Sequence, residues 1–86
     1  MTTTTSPTTV RPLYEIAREI TAKWRPVHFA ASPYLRAMRS MTTLEDTYGP
    51  GDEPARGIVL YFLSNARTWR GEDARRIKAE LKGMLK

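Results

Sequence analysis

Prolines at positions 12, 33 and 54 each head a stretch in which apolar residues recur at helical spacing, and this punctuation constrains the chain more than any other feature. The fixed φ and missing N–H of proline suit the first turn of a helix and no later one. Behind Pro12, residues Leu13, Ile16, Ala17, Ile20 and Trp24 fall within an arc of roughly 100°, predicting an amphipathic helix over 12–25 that Pro26 ends. Behind Pro33, with Ser32 as the expected N-cap, Tyr34, Leu35, Ala37, Met38 and Met41 cluster on one side and predict a helix over 33–42. Behind Pro54, Ile58, Val59, Leu60, Phe62, Leu63 and Ala66 cover roughly 200°, predicting a helix over 54–67 in the middle of the core. Asp52 or Glu53 is placed to cap it or to complement its dipole.

Two segments read differently. The run IVLYFL has high β-propensity, and as a strand it would need a partner from a second chain, because no other segment reads as one. The stretch LEDTYGPGDEP, rich in glycine, proline and acids, reads as an irregular loop. A last helix over 71–85 has acids first and bases last, with Glu72, Arg76 and Glu80 spaced for i,i+4 pairing. The expected fold is therefore all-α: a small compact bundle of about four short helices forming one domain over 11–86. Before it stands a Thr/Ser/Pro tail, residues 1–10, with too little apolar surface to offset the entropy of ordering and so expected to be disordered.

Composition narrows the function classes. With 86 residues, no cysteine and one histidine, the chain can build one core and cannot assemble the usual zinc frameworks alone. No apolar run approaches the ~18 residues needed to span a bilayer, and the N-terminus lacks the basic and apolar regions of a secretory signal. A cytoplasmic location, with no membrane partner, is the expectation. His28 has no carboxylate or nucleophile placed beside it in sequence, and no phosphate-cradling glycine motif or nucleophile elbow is present. Glu45, Asp46, Asp52 and Glu53 do not match the spacing of a calcium loop and read as a solvated acidic turn. A non-catalytic binding module without cofactor, metal or small-molecule substrate is expected.

The charge is unevenly spread. Residues 1–66 carry seven bases and six acids, whereas residues 67–86 carry seven bases and three acids. On a wheel of the last helix, Ile77, Leu81, Met84 and Leu85 share a face with Ala74, and Arg75, Lys78, Lys82 and Lys86 form a strip beside it. Arg67 and Arg70 extend the strip into the preceding linker, with Trp69 between them. Such a ridge suits a phosphate backbone, and an exposed tryptophan among arginines suits stacking on an unpaired base. The same lysines would also complement the helix dipole, snorkel past the core edge and keep the protein soluble, and the same tryptophan would also cap the core.

The segments RPLYEIAREI, PYLRAM and above all IVLYFLSNARTWRGEDARRIKAELK resemble a family of small hypothetical proteins from actinobacteria and their bacteriophages. The resemblance covers nearly all of residues 11–85 and implies a phage or host accessory protein, with no catalytic residues to carry over. Two functions from different classes follow. One is a nucleic-acid contact through Arg67, Trp69, Arg70, Arg75, Lys78, Lys82 and Lys86. The other is binding of a host protein or self-association through Met38, Met41, Met84, Tyr14, Tyr34 and Tyr61, whose soft and aromatic side chains suit adaptable interfaces.

Overall fold

The computed structural model describes residues 11–86, and the expected disordered tail lies outside them. The described residues form four helices and one small ribbon. In order these are α1 (Leu13–Lys23), α2 (Ser32–Met38), strands β1 (Thr47–Tyr48) and β2 (Glu53–Pro54), α3 (Ala55–Ser64) and α4 (Glu72–Leu85). The fold is thus largely helical but not purely all-α.

Helix α1 starts after Pro12, which takes the N-cap position with extended backbone rather than the first helical one. No side chain caps it. Its free amides are instead met from across the fold: Leu13 N–H donates to the carbonyl of Thr42 at 3.0 Å and Tyr14 N–H to that of Met41 at 2.8 Å. The helix ends at Lys23, with Trp24 already extended ahead of the Arg25–Pro26 pair. Helix α2 begins at Ser32 itself, so the buried Ala31, and not Ser32, occupies the N-cap position. It stops at Met38, short of the expected Thr42, because the residues beyond are held elsewhere. The Met41 and Thr42 carbonyls serve α1, and the Asp46 carboxylate accepts from the amides of Thr42 at 2.6 Å and Thr43 at 3.1 Å.

The expected irregular loop contains the ribbon. Thr47 faces Pro54 and Tyr48 faces Glu53 in antiparallel register. The glycines and prolines that argued against regular structure make its tip: Gly49 adopts φ 79°, and Asp52 N–H closes the turn onto the Gly49 carbonyl at 3.0 Å. Neither Asp52 nor Glu53 caps α3. Pro54 is its N-cap residue, and the Ala55 amide donates to the Asp46 carbonyl at 2.8 Å.

The run IVLYFL is helical, within α3. That helix buries Ala55, Ile58, Val59 and Phe62, while Leu60 and Tyr61 remain 51% and 53% exposed, so it faces the core on one side and solvent on the other. Its end at Ser64 is sealed by Asn65, whose amide and side-chain Nδ2 both donate to the Tyr61 carbonyl. Helix α4 follows Gly71, at φ 114° a backbone conformation that side chains disfavour, and buries Ala74, Ile77 and Leu81.

One core joins the four helices: Leu13, Ile16 and Ile20 of α1 meet Leu35 and Met38 of α2, Ile58 and Phe62 of α3, and Ile77 and Leu81 of α4. Met38 and Met41 belong to this core, at 0% and 1% exposure, which removes them as interface residues. Among the described residues no helix is long and apolar enough to cross a membrane.

Candidate functional site

Two of the three carboxylates of helix α4, Asp73 and Glu80, lie on the flank that faces α1. Arg11 reaches across to Glu80, with contacts of 2.7 and 2.9 Å, and to Glu19 at 2.8 Å. Arg76 pairs with Glu19 at 2.7 Å and Asp73 at 3.0 Å, and Lys23 approaches Asp73 at 3.9 Å. These pairs, long-range except for the i,i+3 contact of Arg76 with Asp73, replace the i,i+4 pairs read from the sequence. The guanidiniums of Arg76 and Arg11 hold the Glu19 carboxyl below its ordinary range, and hydrogen bonds to Glu80 and Glu19 push Arg11 upward.

The other flank carries bases without partners. None of Arg67, Arg70, Arg75, Lys78, Lys82 and Lys86 enters an ion pair among the described residues. Arg70, Arg75 and Lys78 line one shallow groove with Trp69, Gly71 and Ala74, and no carboxylate joins them. Lys78 Nζ donates to the Trp69 carbonyl at 2.7 Å, tying the linker onto α4. Burial, then repulsion from Lys82 and Arg70, pushes the Lys78 ammonium below its ordinary value. Lys82 and Arg70 thus both repel Lys78, and no carboxylate lines the groove that Lys78 shares with Arg70 and Arg75.

Trp69 is not the exposed ring that base stacking requires. It is 5% exposed and lies flat on Trp24, with ring centres 5.4 Å apart and planes 12° apart. Trp24 in turn meets Phe62 edge-on at 6.4 Å. Trp69 thus braces the linker from inside, and it leaves the set of direct contacts.

The sequence reading missed a second group of bases. Around the connection from α1 to α2, one groove is lined by Arg18 and Arg25 and another by Arg36 and Arg39; both share Thr21 and Val27, and neither has a carboxylate in its lining. The Trp24–Trp69 stack links this surface to the groove at α4, since each ring lines its own side. The signal was present: residues 20–44 contain no acid and carry Lys23, Arg25, Arg36 and Arg39. In the same connection Phe29 projects, 82% exposed, with its ring stacked on His28 at 4.8 Å. The turn beneath it is tied by the Ala31 and Ser32 amides donating to the His28 carbonyl and the Ala30 amide to His28 Nδ1. His28 is therefore a turn-holding residue.

The acidic turn is structural. Asp46 holds the Thr42 and Thr43 amides, which lower its pKa, and Glu45 lies 3.9 Å from Arg56. Among the described residues no group of three His, Cys, Asp or Glu side chains could hold a metal ion. On the outer side of α2 and α3, Tyr34 stacks on Tyr61 at 5.6 Å, and both line a groove with Pro33, Tyr48 and Ile58. Tyr14 lies under the Arg18 guanidinium, and Met84 is half-buried. Comparison of the chain with protein-family models, with curated proteins and with solved structures gives no match.

Proposed function

We propose that the chain is a small non-catalytic module that holds nucleic acid by its phosphate backbone through the open flank of α4 and the linker before it. The observation that carries this reading is the sorting of charge. Glu19, Asp73 and Glu80 are taken up by Arg11, Arg76 and Lys23, which leaves Arg70, Arg75, Lys78 and Lys82 without a counter-charge. Crowded like charges destabilise a fold, and a polyanion relieves that repulsion while releasing its own condensed counterions. Arg75, Lys82 and Lys86 are the phosphate contacts, and Arg67 and Arg70 continue them. Lys78 positions the linker through the Trp69 carbonyl, and Trp69 supports it from the core.

Fluorescence-anisotropy titration against duplex and single-stranded DNA tests the reading. Neutralising about four phosphates predicts roughly 100-fold weaker duplex binding between about 50 and 200 mM salt. Arg75→Glu combined with Lys82→Glu should abolish binding, whereas Leu60→Ser, on the exposed outer face of α3, should leave it intact. Absence of binding at the lower salt would sink the proposal.

The 51% exposure of Leu60 and 53% of Tyr61, beside the stacked Tyr34, favours a second reading, a protein contact or self-association on the outer face of α3. Sedimentation showing only monomer at high micromolar concentration would count against self-association.

A further inference from the structure

Phe29 stands outside the hydrophobic core. At 82% it is the most exposed of the large apolar side chains among the described residues, and it stands on a short turn fixed by three backbone amides rather than on a loose loop. Its one aromatic neighbour, His28, stacks on one side of the ring. A rigid, pre-oriented aromatic ring held out into water suits a partner that offers a flat π-face at little entropic cost. The surroundings select the partner's charge. The grooves of the same connection are lined by Arg18, Arg25, Arg36 and Arg39 without a carboxylate, and no acid occurs between residues 20 and 44. The connection starts at Trp24, which stacks on Trp69, so it leaves the core where the basic linker with Arg67 and Arg70 also leaves it. Lys23, at the end of α1, lies 3.9 Å from Asp73, at the start of α4, which places the start of α4 near that same end.

We propose that Phe29 is a base-stacking residue and that the preferred ligand is nucleic acid with unpaired bases, its backbone running over the arginines of this end of the molecule. The inference rests on the phosphate-binding reading above and adds the ligand class to it. It also transfers to Phe29 the stacking role that the sequence had suggested for Trp69. A blunt duplex keeps its bases inside the stack and presents only phosphates to the strip, whereas a single strand offers both.

The experiment compares wild type, Phe29→Ala and Phe29→Trp on three probes: a blunt duplex, an oligo-dT strand, and an abasic strand of the same length. Stacking of one base is worth roughly five- to hundredfold in affinity on alanine substitution. Phe29→Ala should therefore weaken oligo-dT binding by about that factor, Phe29→Trp should retain it, and binding to the duplex and the abasic strand should not change. Because the ring is exposed, the alanine variant keeps the core, and an unchanged thermal midpoint verifies this. Equal oligo-dT affinity for wild type and Phe29→Ala, with binding otherwise intact, overturns the stacking role and leaves the phosphate reading standing; Phe29 then belongs to a protein contact. No wild-type binding to any probe removes the underlying reading instead.

Discussion

Lys78 shows how one side chain can serve fold and surface at once. Its stem lies along the edge of α4 and its ammonium holds the Trp69 carbonyl, yet Lys82, one turn on, and Arg70 repel it. Removing one of those neighbours should therefore stabilise the protein while weakening its grip on an anion. Lys82→Gln is expected to raise stability by about 0.2–0.5 kcal/mol, the usual size of a like-charge i,i+4 penalty, and to lower DNA affinity several-fold. Urea denaturation and anisotropy on the same preparation check the two signs together. A variant that lost both stability and affinity would contradict the crowding. At this scale the sequence was a partial guide. The basic strip could be placed from helical periodicity, because Arg75, Lys78 and Lys82 owe their common flank to α4 alone. Trp69 could be read from the sequence either as a cap on the core or as an exposed ring, and the cap is what the fold makes of it by bringing Trp24, far away in the chain, against it.

Among the elements, the turn before the ribbon does the most joining. Asp46 receives the Thr42 and Thr43 amides on its carboxylate and the Ala55 amide on its carbonyl, so one residue secures the exit from α2 and the entry to α3. The amides from Thr42 and then Thr43 lower the Asp46 pKa below its unfolded value, and Arg76 and then Arg11 do the same for Glu19. A carboxyl depressed in the folded state contributes stability above its unfolded pKa, about 3.9 for Asp and 4.3 for Glu, and that contribution is lost as pH falls through the folded value. Stability should accordingly hold at neutral pH and decline progressively below about pH 5. Asp46→Asn should be less stable at neutral pH and should lose less on acidification, as read by denaturant midpoints at neutral and acidic pH. Equal acid losses in both proteins would remove Asp46 from the account. Helix positions were legible from proline punctuation because proline acts locally. The capping partners were not: Pro12, Ala31 and Pro54 stand where side-chain caps were expected or absent, and backbone groups from other segments take over.

For the whole molecule, charge is sorted by tertiary structure more than by sequence block. Counting acids and bases along the chain singled out the last quarter, where Arg76 is paired while Arg67, Arg70, Arg75, Lys78, Lys82 and Lys86 enter no ion pair among the described residues. It overlooked Arg18 and Arg25, beside the exit of α1, and Arg36 and Arg39, whose groove forms only where α2 meets Thr21 of α1 and Val27. The apolar residues redistributed in the same way. Met38 and Met41 went inside, while Leu60, which helical periodicity had assigned to the core, stayed out.

The first amides of α1 have a kinetic consequence. The opening N–H groups of a helix normally have no acceptor within it and exchange with solvent deuterium almost freely. Here Leu13 and Tyr14 donate to Thr42 and Met41. Their exchange should be slow, matched to the release of the 41–42 segment rather than to fraying at the chain end, and should quicken in Asp46→Asn. Fast exchange at both amides in the intact protein would mean that this clasp is not held. If it is held, two amide signals near the start of the chain time the opening of a joint in its middle.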